Sequence, residues 1–543
     1  MLVHHFLENS AEKYPHKEAV WYKDLWASFM DIEQNANRVT NFLIKNGISR
    51  GDRISLLMEN SISYIICYFG ILKAGAVVVA INNEVTSDNL LFYLNNSESS
   101  AIIAGSRFSS LFPIISHAPS VKFMISDTSL AYPPRTAYSL EDILQSEKPQ
   151  RPEVSTISLD LASIVYTSGS TGNPKGVMLS HQNLSDNTVS ISNYLKLTPE
   201  DRIMVVLPLY YIYGNSLLTT HFYCGGSVVI DNRFMFPNLV LETMRKMKVT
   251  GFAGVPSTYM ILLNKSTIRQ CKLESLRYVT QAGGSMPPSI QLQVAEVFAP
   301  AKLYVMYGTT EAAPRLTYLE PEMLSTKLGS IGKAIPNVEV IIADENGRAL
   351  PAGHIGEIAA RGSNIMLGYW KDPQSSAAVL RNGYYFTGDL GKTDEDGYIY
   401  VVGRTKDMIK VGGNRVSAKE VEEALLNLPH ISEAAVIGVP DSILGEAIKA
   451  FIVPKTEHIP DVSLIKKELS SMISPYKIPT LYSFHRELPK NESGKIMKEK
   501  LRILPESELS ESQPYSSQSP EFSQSPESQP PETPPPKSPE GGL

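Results

Sequence analysis

Residues 164–181 read IVYTSGSTGNPKGVMLSH and are the most informative stretch of the chain for both fold and function. Apolar residues ending at Tyr166 lead into a run of glycine and hydroxyl residues, which closes on Pro174, Lys175 and Gly176. That order predicts a buried strand followed by a loop whose backbone amides and hydroxyls converge on anionic oxygens, beside one ammonium group. We therefore predict that this loop binds a polyphosphate.

The flanking sequence distinguishes this loop from two alternatives. It is not a Walker loop, because Gly176 follows Lys175 where that loop carries a magnesium-binding Ser or Thr. A run of Ser, Thr and Gly taken alone is typical of a flexible surface loop. Here a strand precedes the run, and a helix start is expected at Ser180 and His181. These flanks place the loop at the carboxyl end of a strand, where open α/β sheets bind ligands.

Length and composition indicate more than one domain. The chain has 543 residues, 43% of them hydrophobic, which is enough to bury large cores. Its three cysteines, Cys67, Cys224 and Cys271, have no metal or disulfide spacing and are typical of a reducing compartment. Residues 1–15 lack the basic and apolar regions of a signal peptide. We therefore expect a cytoplasmic protein.

Charge and hydropathy argue against nucleic-acid and membrane-spanning classes. The net charge is −6, and the segment from Pro505 carries seven Glu and one Lys, so the rest of the chain is formally neutral. A neutral body gives no electrostatic reason to expect nucleic acid. The most apolar window, residues 64–81, contains Lys73, whose charge is costly in a bilayer. We expect a helix and a strand there and no transmembrane segment.

Hydrophobic periodicity predicts a parallel α/β architecture on both sides of the loop. A helical stripe covers residues 29–42 and a second helix covers 64–72. Strands are predicted at 54–58, 76–81, 101–104, 121–125, 203–207, 227–230, 250–253, 277–281 and 302–306. Such βαβ order predicts mostly parallel sheets covered by helices. Residues 133–152 are predicted to form a loop.

The pattern changes after Gly329. Short strands with turns at 338–343, 356–361 and 398–401 predict an antiparallel β subdomain. Beyond residue 404, helices at 418–428 and 462–472 and strands at 434–439 and 447–453 predict a small α+β domain. From Pro505 the chain is rich in Pro, Ser, Gln and Glu, and it has too few apolar residues to form a core. We predict a disordered tail with no catalytic role; whether it binds an unknown partner stays open.

Six motifs, taken in order, resemble those of the adenylate-forming superfamily of acyl-CoA synthetases, stand-alone adenylation domains and beetle luciferases. They are TSGSTGNPKG from residue 167, QAGGS from 281, YVMYGTTE from 304, YFTGDL from 385, GRTKD from 403 and NESGKI from 491. The resemblance spans about residues 2–504 and is greatest to AMP-forming acyl-CoA synthetases. It implies an AMP-binding N-terminal domain (1–403), a mobile C-terminal domain with a catalytic lysine (404–504) and a tail (505–543).

The resemblance implies an ATP site built from these motifs. Glu311 would bind Mg²⁺, which usually takes only one or two carboxylates. Thr310 would donate to the α-phosphate, and Asp389 would accept from the ribose hydroxyls with help from Arg404. Many members carry Arg where this chain has Phe386. The remaining nucleotide contacts would come from Thr167, Ser168, Gly169, Ser170, Thr171, Gly172, Lys175, Ala282, Gly283, Gly284, Tyr307 and Gly308, with the glycines letting the base approach the backbone.

The resemblance also implies two catalytic poses of the small domain. Lys495 would neutralise the charge that develops when a carboxylate attacks the α-phosphate, while Lys175 and Mg²⁺ stabilise the departing pyrophosphate. Rotation about a hinge at Lys406 would withdraw Lys495. Gly412 and Gly413 would then border the channel through which a pantetheine thiol reaches the acyl adenylate.

Tyr211 is the main indication of the acid substrate. It stands where amino-acid-adenylating domains carry an Asp, and a phenol cannot pair with an ammonium as a carboxylate does. We therefore favour an acid without an α-amino group. Of Tyr210, Tyr211 and Tyr213, two are expected simply to pack in the core. The predicted pocket comprises Tyr211, Tyr213, Gly214, Ala282, Gly308 and Ala312.

These inferences predict an ATP-dependent acid:CoA ligase that converts a fatty or aryl acid through acyl-AMP to acyl-CoA. One alternative is a stand-alone ligase that loads a carrier-protein phosphopantetheine with an acyl or aminoacyl group. A luciferase-like oxygenase and an inactive nucleotide-binding scaffold are further alternatives. Glu311 and Lys495 argue against the scaffold, which needs neither.

Overall fold

The computed structural model describes residues 1–128, 133–167, 174–411, 414–441, 444–456, 459–490 and 496–503. The predicted tail lies outside the described residues. Among the described residues, no helix combines the length and apolarity that crossing a bilayer requires. The domain boundaries at 403/404 and 504/505 stay predictions.

The N-terminal part of the chain alternates helices and strands, as predicted. The helices are α1 (His5–Lys13), α2 (Phe29–Lys45), α3 (Ile62–Lys73), α4 (Ser87–Ser97) and α5 (Leu140–Ser146). The strands are β1 (Glu18–Tyr22), β2 (Leu25–Ser28), β3 (Arg53–Leu57), β4 (Val77–Ala80), β5 (Ala101–Ala104), β6 (Phe123–Ser126), β7 (Thr136–Ser139), β8 (Leu161–Thr167) and β9 (Lys175–Ser180). A 3₁₀ helix at Ser106–His117 joins β5 to β6.

The alternation continues over the next stretch of the chain. The helices there are α6 (His181–Leu195), α7 (Ile212–Cys224), α8 (Pro237–Lys246), α9 (Pro256–Lys265) and α10 (Pro288–Val297). The strands are β10 (Arg202–Val205), β11 (Ser227–Ile230), β12 (Gly251–Gly254), β13 (Tyr278–Gln281), β14 (Lys302–Tyr307), β15 (Thr317–Leu319) and β16 (Lys333–Ala334).

Short strands dominate the next segment, and the last one mixes helices and strands. The former holds β17 (Val338–Ala343), β18 (Gly356–Gly362), β19 (Gly368–Tyr369), α11 (Pro373–Val379), β20 (Leu380–Arg381), β21 (Tyr384–Thr393) and β22 (Ile399–Arg404). The latter holds β23 (Met408–Val411), β24 (Asn414–Ser417), α12 (Ala418–Leu426), β25 (Ile431–Asp441), β26 (Gly445–Pro454), α13 (Val462–Leu469), β27 (Leu481–Phe484) and α14 (Lys498–Ile503).

Two large sheets form the N-terminal body. One has the strand order β19-β9-β8-β4-β3-β5-β6-β7, and the other has the order β16-β15-β14-β13-β12-β10-β11-β1-β2. The inner pairs of both sheets, such as β3–β4 and β12–β13, are parallel, and the edge pairs β8–β9 and β14–β15 are antiparallel. This confirms the predicted parallel-rich α/β fold.

The other two sheets are smaller. β17, β18, β20, β21 and β22 pair only antiparallel, which confirms the predicted β subdomain. The C-terminal sheet has the order β24-β23-β26-β25, and β27 pairs with β26 in parallel. Helices α12 and α13 bury apolar faces against this sheet, which confirms the predicted α+β character.

Helix α2 shows how the sequence pattern becomes packing. Ser28 and Asp31 form a capping box at its N-terminus, which satisfies two otherwise unpaired backbone amides. The predicted stripe is buried along its whole length, at Phe29, Ile32, Ala36, Val39 and Phe42. Burying each large apolar side chain contributes about 1.5–3 kcal/mol, so this face holds the helix on the core.

Two local predictions need correction. Residues 133–152 are not simply a loop, since β7 pairs in parallel with β6 at the sheet edge and α5 follows it. Ser139 caps α5, and Leu140 and Ile143 are buried; these elements are too short to show a clear period. The helix start at Ser180 and His181 is confirmed, but β9 precedes it. The phosphate loop therefore connects two antiparallel strands.

Candidate active site

The predicted phosphate loop lies between Thr167 and Lys175, which face each other across the β8–β9 pair. The Lys175 ammonium donates to Ser375 Oγ at 2.6 Å and lies 5.1 Å from the centre of the Tyr369 ring. Lys175 is half-buried. The predicted contacts Ser168, Gly169, Ser170, Thr171 and Gly172 lie outside the described residues.

Glu311 follows β14 in a short 3₁₀ turn that begins at Thr310. Its Oε1 accepts a hydrogen bond of 2.9 Å from the Tyr369 hydroxyl, and its backbone carbonyl accepts one from the Met366 amide. Burial, reinforced by the charge of Glu311, raises the pKa of Tyr369, so the phenol stays a donor. Thr310 is buried beside this carboxylate in the same turn.

The carboxylate of Glu311 fits a magnesium ion chemically. Its Oε2 makes no hydrogen bond or ion pair within the part of the chain that the structure describes, whereas Oε1 is held by Tyr369. A free, oriented carboxylate oxygen is the ligand type that Mg²⁺ prefers. Glu311 can therefore hold the metal without giving up the hydrogen bond that orients it.

Asp389 forms the second anionic centre of the site. The carboxylate is buried in β21, opposite Arg404 in the β21–β22 register. Oδ1 accepts from Arg404 Nε at 2.7 Å, and Oδ2 accepts from the Tyr307 hydroxyl at 2.6 Å. The nearby charge of Asp389 raises the pKa of Arg404, and burial followed by this charge raises that of Tyr307. Both partners therefore remain donors to the carboxylate.

Glycines are required at two turns of this site. A Cβ on Gly308 would collide with the carbonyl of Pro314, because the chain folds back directly over β14. Gly283 has a φ of +84°, which L side chains rarely adopt. Gln281 closes the same turn by donating to the carbonyl of Gly284 at 2.7 Å. The backbone at both strand ends is thus held in a tight conformation.

The predicted acid pocket divides into two groups of residues. Tyr211 lies at the N-terminus of α7, and burial raises its pKa above the usual value, so the phenol is neutral. Tyr213 is buried, and its hydroxyl contacts Thr280 Oγ1 at 2.8 Å. The Arg315 guanidinium lies 5.0 Å from the centre of the Tyr213 ring. Tyr213 therefore packs as part of the core.

The small residues of the predicted pocket have packing roles of their own. A Cβ on Gly214 would collide with the carbonyl of Pro208, so this glycine lets α7 begin close to the preceding turn. Ala312 is fully buried in a small cluster with Leu316. Ala282 is also buried. Next to Ala282, a Cβ on Gly283 would lie 3.9 Å from the Tyr211 hydroxyl, so this turn is close to Tyr211. The pocket role of the whole set stays a prediction.

The predicted C-terminal contributors lie largely outside the described residues. Lys495, Gly412 and Gly413 are among these, and so is the side chain of Lys406 in the turn Thr405–Asp407. Their roles stay predictions. Among the described residues, α12 contacts earlier parts of the chain: Lys419 Nζ donates to the Val401 carbonyl in β22 at 2.6 Å, and Glu423 accepts from Ser285 Oγ at 3.5 Å.

Tyr369 and Ser375 also contact the site, although no motif in the sequence indicates them. They belong to GYWKDPQSS, residues 368–376, in which Asp372 caps α11 and Pro373 begins it. The Asp-Pro cap signal was readable and predicts a helix start. Nothing in the local sequence indicates that the preceding tyrosine contacts Lys175 and Glu311.

Phe386 is buried away from the nucleotide residues. It lies in a small cluster with Ala343 and Ala359, and the Arg381 guanidinium stacks 4.0 Å from its ring centre. The adjacent Tyr385 points to the opposite face of β21, where its hydroxyl accepts from Thr309 at 3.2 Å. The absence of an Arg at this position therefore leaves the Asp389–Arg404 pair intact.

Comparison with known proteins extends these observations over almost the whole chain. Residues 7–370 match the model of the AMP-binding enzyme family, and residues 420–495 match that of the AMP-binding enzyme C-terminal domain. A long-chain-fatty-acid–CoA ligase of Bacillus subtilis (strain 168) is 33% identical, covering 91% of this chain and 93% of its own length.

Two solved structures are similar throughout. The anthranilate CoA ligase AuaEII with anthranoyl-AMP has a TM-score of 0.85 and 28% identity, covering 92% of this chain and 96% of its own. The o-succinylbenzoate CoA synthetase of Bacillus subtilis with ATP and magnesium has a TM-score of 0.80 and 27% identity, covering 91% and 98%. The predicted adenylate-forming superfamily is thereby confirmed, and this chain belongs to the AMP-binding enzyme family.

Proposed function

We propose that the chain is an AMP-forming acid:CoA ligase. A carboxylic acid attacks the α-phosphate of ATP and gives acyl-AMP and pyrophosphate; the thiol of CoA then attacks the acyl carbonyl and releases AMP. One observation carries the proposal: Tyr369 contacts both Lys175 and Glu311, which are far apart in the sequence. An ammonium group and a metal-binding carboxylate therefore meet at one place, as phosphoryl chemistry requires.

Each residue of the site has a separate proposed role in the adenylation step. Glu311 would hold Mg²⁺, which when bound neutralises charge on the phosphates. Lys175 lies at the end of the phosphate loop and would stabilise the departing pyrophosphate. Thr310 would donate to the α-phosphate. The buried Asp389 would accept from the ribose, with Arg404 orienting the carboxylate.

We propose that Lys495 completes the adenylation step. Rotation of the C-terminal domain about Lys406 would then switch the enzyme to thioester formation. Two anions approach each other during adenylation, so a positive charge beside the attacking carboxylate lowers the barrier. After rotation, Gly412 and Gly413 would line the path of the thiol. The similarity of residues 420–495 to the family's C-terminal domain, a match that ends at Lys495, supports the assignment of Lys495.

We propose a fatty or aryl acid as the substrate. The Bacillus subtilis relative is named for a long-chain fatty acid, and AuaEII for anthranilate, so both acid classes occur on this fold. No residue of the predicted pocket carries a carboxylate that would pair with an α-ammonium group. The three cysteines are free, which fits a reducing compartment, and we place the enzyme in the cytoplasm.

A thioester assay with purified protein tests the proposal. ATP, Mg²⁺ and a panel of short, long and aromatic acids are supplied with either CoA or a pantetheinylated carrier protein. We expect acyl-CoA with one acid class, and loss of acyl-AMP formation in Lys175→Ala. Lys246→Ala is the matched control, since this exposed lysine lies on α8 and forms a surface ion pair with Asp24 at 3.0 Å.

Each outcome of this assay has a definite meaning. If the acyl group of acyl-AMP is transferred only to the carrier protein, the acceptor is a carrier protein and not CoA. ATP binding without acyl-AMP for any acid would contradict a ligase and favour the inactive scaffold. Equal activity of Lys175→Ala and wild type would contradict the proposed role of the phosphate loop.

A further inference from the structure

Residues 368–376 pack beside the edge strand β9, which begins at Lys175. The short strand β19 pairs with β9, and the Trp370 amide donates to the Gly176 carbonyl at 2.7 Å. The Trp370 indole donates to the Asn96 carbonyl at 2.9 Å. The Tyr369 amide donates to Ser376 Oγ at 2.8 Å, in the first turn of α11. Tyr369 is therefore held by its backbone on both sides.

Tyr369 lies between two opposite charges. The Lys175 ammonium lies over its ring face, and its hydroxyl donates to Glu311. Within the described residues, Lys175 and Glu311 form no ion pair with each other. An ammonium and a carboxylate at this depth attract strongly, and direct pairing would occupy both groups needed for Mg·ATP. The tyrosine gives each charge a partner and keeps the two apart.

We propose that Tyr369 is a positioning residue of the metal and phosphate site, which orients Glu311 for Mg²⁺ and keeps Lys175 available for phosphate. This inference rests on the proposed function. The hydroxyl occupies one carboxylate oxygen and leaves the other for the metal. A hydrogen-bond donor to a metal-binding carboxylate characteristically orients that ligand.

A purely structural role for Tyr369 makes different predictions. Tyr369 as a whole residue is 8% exposed and belongs to the large hydrophobic core, so removing the ring costs stability whatever its role. Tyr369→Phe separates the two roles, because it keeps the ring and the face beneath Lys175 and removes only the hydroxyl. Tyr369→Leu removes the aromatic face as well.

Calorimetric titration of ATP, without metal and at graded Mg²⁺ concentrations, tests the proposal on the whole protein. For Tyr369→Phe we expect the half-saturating Mg²⁺ concentration to rise about ten- to a hundredfold. Metal-free ATP affinity should be unchanged, because the phenylalanine ring still lies beneath the Lys175 ammonium. In Tyr369→Leu the metal-free affinity should also fall about two- to fivefold, from loss of the cation–π contact.

The matched control is Tyr384→Phe. The Tyr384 hydroxyl donates to Glu339 Oε1 at 2.8 Å in the β subdomain, so the same substitution removes the same kind of hydrogen bond away from the site. This control should leave both affinities unchanged. Thermal unfolding of each variant without ligands reports any general loss of stability.

The results that overturn the proposal are distinct from failure of the ligase function. Equal Mg²⁺ dependence of wild type and Tyr369→Phe would refute positioning by the hydroxyl, as would an ATP affinity of wild type that does not respond to Mg²⁺. Wild type that binds Mg·ATP but adenylates no acid would refute the ligase, and the titrations would still decide on Tyr369. Wild type that binds no ATP would refute both.

Discussion

Lys73 is the clearest place to test how this fold manages buried charge. Its side chain is 1% exposed, and its ammonium contacts Glu8 Oε1 at 2.7 Å and Glu33 Oε1 at 2.6 Å. The three residues lie on α3, α1 and α2, so the ion pairs of one lysine connect three helices. The exposed Arg151 also pairs with Glu8: its guanidinium lies 2.7 Å from Glu8 Oε2.

Lys73→Met keeps most of the buried hydrocarbon and removes the charge. Two carboxylates then face each other, and only Glu8 retains a cation, from Arg151. Breaking a buried ion pair on one side costs about 3–5 kcal/mol, and we expect a loss of unfolding free energy in that range at pH 7.5. Chemical denaturation followed by tryptophan fluorescence measures it.

A matched variant shows whether burial is the cause. Lys45→Met removes an ion pair of similar length to Glu147, at 2.8 Å, but the lysine side chain is 71% exposed. An exposed pair contributes at most about 1 kcal/mol, so this variant should remain close to wild type. A Lys73→Met loss no larger than that of Lys45→Met would refute the reasoning.

The effect of Lys73→Met should also depend on pH. Burial raises the pKa of the Glu8 carboxyl, so the folded state binds the carboxyl proton more tightly than the unfolded chain does. The stability that protonated Glu8 contributes is therefore lost as the pH rises through the folded-state pKa. Lys73 acts to lower that pKa, and its removal raises the pKa further. The Lys73→Met loss should therefore be greatest at neutral pH and shrink towards pH 5. A loss that grows on acidification would contradict this sign.

Three other perturbations test the site and the core. Asp389→Asn should weaken ATP binding at least about tenfold in calorimetry, since charge-assisted hydrogen bonds contribute about 1.5–3 kcal/mol; unchanged affinity would exclude the ribose role. Gly308→Ala should lower the melting temperature markedly, because the new Cβ meets the Pro314 carbonyl, and a wild-type melting curve would contradict that contact. Burial lowers the pKa of His181 and His221 from 6.5 to about 4. Because the unfolded chain therefore binds these protons first, each histidine should lower the free energy of unfolding by up to about 1.4 kcal/mol per pH unit as the pH falls from 6.5 towards 4. His181→Gln should flatten this dependence in denaturation at pH 7 and 5.5, and an unaltered slope would count against it.

Local sequence signals predict this structure best. The stripe from Phe29 to Phe42 predicts a helix because residues three and four apart share a face, and that face is buried. The helix start at Ser180 rests on a capping box between neighbours in the chain. The segment containing β7 and α5 was missed, because its strand TAYS is short and partly polar and forms only by pairing with a sheet edge.

The α/β class, the alternation of helices and strands and the motifs proposed to bind ATP could all be predicted from the sequence, because periodicity, caps and glycine-rich turns depend on neighbouring residues. The side chains that support those motifs become apparent only in the folded chain. Lys175 meets Ser375, and Glu311 meets Tyr369, because β19 is added to the edge strand β9. Contacts between segments this far apart depend on how the sheets assemble, and no local pattern records that assembly.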